Sequence, residues 1–218
     1  MPILRGNAGR DTDRLEAFSD AIIAIAITLL VLDVKVPSQE TADSNRALWH
    51  ALGDLWPNYF GFALSFIVIG IMWINHHQIF QFIARTNHYF LVINVLFLLC
   101  VAFLPFPTGL LAEYIGHDGE KTATIVYTGF FLLTACCYNL VWTYARKAGL
   151  LAEDANPTTV AGITRAFSFG PPSYLLAFLV AFISPTVSLA IMTLLAILYT
   201  LPSAVVMMRG MSPDSGQR

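Results

Sequence analysis

The 218-residue chain is 56% hydrophobic and only 12% charged, with a mean hydropathy of +0.65, which is too apolar for a water-facing surface and makes lipid its solvent. A formal net charge of -2 and an isoelectric point near 6.2 supply no basic excess to neutralise a phosphate backbone, which excludes nucleic-acid binding. Cys100, Cys136 and Cys137 all lie in apolar stretches without a C-x-x-C pair or a His-rich neighbourhood, so buried thiols are expected rather than a disulfide framework or a zinc site.

At the N-terminus, Asp11, Asp13 and Glu16 alternate with Arg5, Arg10 and Arg14 ahead of the first apolar run, and no small-residue cleavage site follows it. That pattern argues against a signal peptide and keeps the first helix in the mature protein. Apolar segments close to the roughly 20 residues needed to cross a bilayer fall at 18-36, 56-77, 88-110, 122-145, 163-183 and 186-208. The fold class expected is an all-α integral membrane protein with six transmembrane helices per subunit, in one domain covering 1-218. The gap at Ser184 and Pro185 is so short that spans five and six form a tight antiparallel hairpin. Gly170-Pro171-Pro172 reads as a kink or break in span five.

With the N-terminus cytoplasmic, that side collects Arg5, Arg10, Arg14, Arg85, Arg146, Lys147, Arg165, Arg209 and Arg218, against Lys35, Arg46 and Lys121 on the far side. This obeys the positive-inside rule and places both termini in the cytoplasm of a multi-pass protein in the cell membrane. Trp49, Trp56, Tyr59, Tyr89, Tyr114, Trp142 and Tyr144 stand near the span ends, as an interfacial aromatic belt requires.

Span one is unusual. Asp20 and Asp33 bracket an uncharged apolar core, and their spacing is roughly 20 Å of helix axis in a hydrocarbon layer about 30 Å thick. At least one carboxylate therefore approaches hydrocarbon depth unless it faces protein or a water-filled vestibule, which suits a helix inside an assembly with water at its ends. Ala17, Ala21, Ala24 and Thr28 make a narrow face of small side chains, flanked by a stripe of Ile22, Ile25, Leu29 and Leu32. Periodicity alone does not separate ordinary helix packing from a stripe directed at a symmetry axis. Span two ends in Trp73, Asn75, His76 and His77. His77 reads as an interfacial anchor, whereas Asn75 and His76, if they face span one, hydrogen-bond Ser19 or Asp20; an Arg14 to Asp20 ion pair is the plainer account of the entry to span one.

The string Arg14-Leu15-Glu16-Ala17-Phe18-Ser19-Asp20, followed by A-I-A-I-T-L-L and M-W-I-N-H-H, resembles the lysosomal potassium channel family called transmembrane protein 175, especially its bacterial relatives. The resemblance covers the six-span layout, with its most specific residues in spans one and two. It implies a homotetramer of single six-helix repeats, with the first helix lining a central pore and Ile25 forming the narrowest ring, followed by apolar rings at Leu29 and Leu32. It also implies a role for Thr28 in potassium selectivity. The motif residues Arg14, Phe18, Ser19 and Asp20 would bond with Trp73, Asn75 and His76 to position the pore helix.

Ordinary potassium channels carry a T-V-G-Y-G carbonyl filter, and the nearest string here is Thr128-Gly129-Phe130, so selectivity needs another origin. A ring of Ile25 offers no ligands: passage costs partial dehydration, which potassium tolerates better than sodium, and a narrow apolar ring also gates by dewetting. Thr28 hydroxyls or carbonyls one turn away would replace part of the lost shell, with a potassium ion near Ile25 and Thr28 and with Asp20 and Asp33 favouring cations in the vestibules. The resemblance implies potassium as the permeant ion, and no cofactor is expected. The alternative is a proton- or cation-coupled transporter using Asp20, Asp33 and His76, against which no internal repeat and no matched helix breaks are visible. H-E-x-x-H, G-x-S-x-G and phosphate-loop strings are absent, so an enzyme is not expected.

Overall fold

The structure is a computed structural model that describes residues 5–40 and 42–200. Helix α1 (Arg5–Leu29) continues into a 3-10 turn (Leu30–Asp33) and is followed by a short α2 (Asn45–Asp54) and a long α3 (Trp56–Phe80). Next come α4 (His88–Phe103), α5 (Pro105–Tyr114), α6 (Glu120–Lys147), α7 (Pro157–Ser168), α8 (Gly170–Ala181) and α9 (Pro185–Thr200). Among the described residues four stretches are long and apolar enough to cross a membrane, namely Asp11–Asp33, Trp56–Phe80, His88–Tyr114 and Glu120–Lys147; α9 is a shorter apolar helix. Residues 201–208 of the expected sixth span lie outside the described residues.

Proline and asparagine set most of these boundaries. Pro105 and Pro107 supply no N–H to the ladder, so the third span divides at Leu104 while staying end to end, because Leu104 remains in right-handed helical geometry. The expected fifth span, 163–183, instead starts at Pro157 and breaks at Phe169. Pro171 and Pro172 remove the donors that would have served the carbonyls of Phe167 and Ser168. The Phe167 carbonyl accepts from Asn139 Nδ2 at 3.0 Å instead. Ser44, Asn87 and Asn156 cap α2, α4 and α7 by accepting from the N–H groups of Ala47, Phe90 and Thr158. The helix α2 falls in a stretch read as a connection in the sequence. None of its residues is buried.

The core is centred on α6, which packs against α4, α5, α8 and α9 and buries Tyr127, Phe131, Val141 and Trp142 completely. A chain of hydroxyls ties three helices together. Thr108 Oγ1 donates to the Leu104 carbonyl at 2.9 Å, so it accepts from Ser65 Oγ at 2.8 Å, which in turn accepts from the Tyr127 hydroxyl at 3.1 Å. In hydrocarbon such bonds join helices because the hydrophobic effect supplies no drive between them. Trp142, expected in the interfacial belt, is a core residue whose Nε1 donates to Thr164 Oγ1 at 3.0 Å. The other expected belt residues except Tyr144 are exposed. Of the cysteines, Cys100 is buried but Cys136 is exposed and Cys137 half-buried, with 3.8 Å between the Cys100 and Cys137 sulfurs.

Contacts between connections order the two ends. Lys35 pairs with Glu113 at 3.6 Å at one end. At the other, Arg85 meets Glu153 at 3.3 Å and the 81–87 and 148–156 connections pair through Ala84 N–H to the Leu150 carbonyl and Ala152 N–H to the Phe82 carbonyl. Gly149, at φ +66°, makes the left-handed turn that starts this pairing. Helix α1 lies at the edge of the bundle, against α3 and α4.

Candidate functional site

Only one face of α1 is used within the subunit. Leu15, Ser19, Ile23, Ala26 and Leu30, at three- and four-residue spacing, are buried against the bundle. On the opposite face Phe18, Ile25, Leu29 and Leu32 are 52%, 58%, 41% and 71% exposed, and Arg14, Ala17, Ala21, Ala24 and Thr28 are exposed with them. Both stripes read from the sequence thus point away from the subunit, except for Ile22, which is half-buried against the core. Thr28 Oγ1 donates to the Ile25 carbonyl at 2.8 Å. With the hydroxyl hydrogen committed to the backbone, its oxygen presents lone pairs outward.

The helix is pinned at its N-terminal half by two sets of bonds. Asn94 on α4 donates through Nδ2 to Ser19 Oγ at 2.9 Å, and Ser19 Oγ donates to the Leu15 carbonyl at 2.8 Å. The Asn94 Oδ1 is then the acceptor for His76 Nε2–H at 3.0 Å, with Ser19, His76 and Asn94 all fully buried. The His76 ring also stacks on Phe80 and Phe97, with centroids 4.6 and 5.5 Å away. Nearer the surface, Trp73 Nε1 donates to Asp20 Oδ1 at 3.0 Å, and His77 Nδ1–H donates to Glu16 Oε1 at 2.7 Å. Two carboxylates of α1 are therefore held by aromatic N–H groups one turn apart on α3, whose rings stack on each other at 6.2 Å.

The C-terminal half is held differently. Asn58 Nδ2 donates to the Asp33 carbonyl at 2.8 Å, and the Asp33 carboxylate lies on the backbone of Gly109. A Cβ at that position would sit 2.8 Å from the Asp33 Oδ1, so glycine is what lets the acid dock on α5. Both ends of α1 are thus fastened while its outer face is left without a partner among the described residues.

Of the expected positioning residues, the structure brings Ser19, Asp20, Trp73 and His76 together. It does not bring Arg14, Phe18 or Asn75 to them. Phe18 precedes Ser19, and one residue rotates a helical side chain by about 100°, which carries Phe18 to the exposed stripe. Asn75 is likewise turned away from His76 and lines a cavity of about 70 Å³ with Tyr138, Phe167, Gly170 and Tyr174. Among the described residues Arg14 forms no ion pair with Asp20. Asn94, Glu16, Asn58 and Gly109 were missed in the sequence, although a lone asparagine inside the apolar run Phe90–Val101 needs a buried partner and was a usable signal. Asp20, His76 and Asp33 are bonded separately and form no continuous relay. Thr128-Gly129-Phe130 is an internal turn of α6, with Thr128 Oγ1 bonded to the Thr124 carbonyl at 2.8 Å.

An apolar helix fastened at both ends, with an unpartnered stripe between, belongs to an all-α membrane channel fold. The crystal structure of a lysosomal potassium-selective channel TMEM175 homolog from Chamaesiphon minutus has a similar fold, with a TM-score of 0.79 at 43% identity, covering 89% of this chain and 98% of that one. Residues 14–105 match the family described as "Endosomal/lysosomal potassium channel TMEM175", a window that contains every residue of the α1 network except Gly109. A potassium channel of Chamaesiphon minutus is 46% identical over 194 residues, 88% of this chain and 95% of that protein. A potassium channel of Streptomyces collinus is 42% identical over 191 residues, 87% of this chain and 91% of that protein. The chain belongs to the TMEM175 family.

Proposed function

We propose that this chain is a potassium-selective cation channel of the cell membrane, a homotetramer in which four copies of α1 line a central pore. Each subunit contributes one six-helix domain, with α7–α8 and α9 as the fifth and sixth crossings and both termini cytoplasmic. The observation that carries this reading is the exposed stripe of α1. Ile25, Leu29 and Leu32 are exposed and unpartnered among the described residues although both flanks of the helix are bonded down, and a fourfold axis along that stripe would cover it.

In the assembled pore, Ile25 forms the narrowest ring and Leu29 and Leu32 the rings beyond it. An apolar ring strips part of an ion's hydration shell without replacing it, so the ion with the weaker shell passes more easily. The Thr28 oxygen, its hydrogen already given to Ile25, returns one ligand per subunit close to the constriction. Asp33 and Asp20 place negative charge at the two mouths and concentrate cations there. Arg14 and Phe18 share the exposed stripe and meet neighbouring subunits, while Ser19, Asp20, Trp73 and His76 set the rotation of α1. No T-V-G-Y-G filter takes part. Such a filter discriminates moderately, through dehydration.

Proteoliposomes with an imposed potassium gradient test the reading. A channel gives a fast electrogenic flux that settles at the Nernst potential for potassium. A flux that runs only with a proton gradient would replace the channel with a coupled transporter acting through Asp20, Asp33 and His76, and no flux at all would reject both.

A further inference from the structure

A groove of about 610 Å³ lies between the first turns of α3, the α5–α6 connection and the length of α9. Its α9 wall runs from Thr186 through Ala190 and Thr193 to Ile197, a single helix face, and Trp56 and Phe60 form the wall opposite. From Thr186 to Ile197 the helix rises roughly 16 Å, about half the 30 Å depth of a hydrocarbon core. Trp56, Gly116 and Glu120 stand at the end of the bundle that carries the Lys35–Glu113 pair. The groove therefore runs from one membrane interface to about the midplane, which is the reach of an acyl chain in one leaflet. Its volume falls in the range of small-ligand sites.

Among the described residues lining the groove Glu120, at its mouth, is the one charged side chain, and its position is built into the turn. Gly119 holds φ +103°, and a Cβ there would lie 2.9 Å from the Tyr114 ring, so the connection folds tightly enough for Glu120 Oε2 to accept from the Gly116 N–H at 3.2 Å. The other carboxylate oxygen has no bond among the described residues. A carboxylate only accepts, so it suits an ammonium and repels an anionic head. The α9 helix starts at Pro185 in the same mouth, with the positive end of its dipole toward a phosphate nearer the chain.

We propose that this groove binds a phospholipid with a primary ammonium head, a phosphatidylethanolamine, one acyl chain lying along α9 and the ammonium on Glu120. The site is independent of which ion the pore passes.

The test is native mass spectrometry of the full-length protein, reconstituted with equal amounts of dioleoyl phosphatidylethanolamine and dioleoyl phosphatidylglycerol and extracted in mild detergent. The wild type retains the ethanolamine lipid about threefold over the glycerol lipid, the ratio expected of a partly exposed ion pair. Glu120→Gln brings the two to parity while lipid is still retained, and Ala190→Phe, at an exposed position, fills the groove and lowers retention of both. Equal retention by the wild type, a preference that survives Glu120→Gln, or undiminished retention by a folded Ala190→Phe would each overturn the proposal. A change in subunit number with Ala190→Phe, with lipid retention unchanged, would assign the groove to a second copy of the chain instead.

Discussion

The two faces of α1 are both apolar and differ in what they touch. Ile23, Ala26 and Leu30 are buried against the bundle, whereas Ile25, Leu29 and Leu32, only one or two residues away in sequence, are exposed, with no partner among the described residues. Side-chain type does not separate the faces, since isoleucine and leucine stand on both. What separates them is a set of polar fasteners, Ser19, Asp20 and Glu16 at one end and Asp33 at the other, which fix the rotation of the helix about its axis. Burying these groups is costly in hydrocarbon unless each finds its bond, so a rotational slip would leave several of them unsatisfied at once.

Substitutions on the two faces should therefore separate stability from conduction. Ile23→Ala opens a cavity in the buried face and should cost about 2–5 kcal/mol, read as a large fall in the Tm of the purified protein. Ile25→Ala should leave the subunit fold intact and change ion discrimination. If both variants melt alike, the two-face description fails. Asn94→Ala strands Ser19 and His76 together and should cost about 1–3 kcal/mol, with a conductance loss because α1 is free to turn. Gly109→Ala drives a methyl into the Asp33 carboxylate; the acid must shift, and single-channel conductance should fall while the Tm drops by less than in Asn94→Ala. The smallest effect belongs to Trp73→Phe, which removes the bond to a half-buried Asp20. It should cost about 0.6 kcal/mol, the average for hydrogen bonds between membrane helices.

Much of the bundle was legible in the sequence, because apolar runs of bilayer length cannot do much else. The Gly170-Pro171-Pro172 break was readable for the same kind of reason, since missing N–H groups act locally. Helix α2 was not, since its apolar and polar residues sit in a connection too short to show a span. Side-chain partners across helices depended on rotation. His76 and Asn75 are neighbours in sequence and face different helices, and Trp142 looked interfacial from its place near a span end although Thr164 draws it inward. Gly109 carried no readable signal, because its role is to leave room for an acid seventy-six positions earlier. The family window matched at residues 14–105 covers the fasteners other than Gly109 and stops before α6, the centre of the core.

The central claim, that the unpartnered stripe of α1 faces the ion, is tested most directly by Ile25→Asn. Reversal potentials are measured with potassium on one side of the membrane and sodium on the other, for the wild type and the variant. A carboxamide in place of the apolar ring wets the constriction and supplies ligands to either ion, so the reversal potential should move toward zero with the current retained. An unchanged reversal potential in a folded, conducting variant would remove Ile25 from the ion's path and contradict the account.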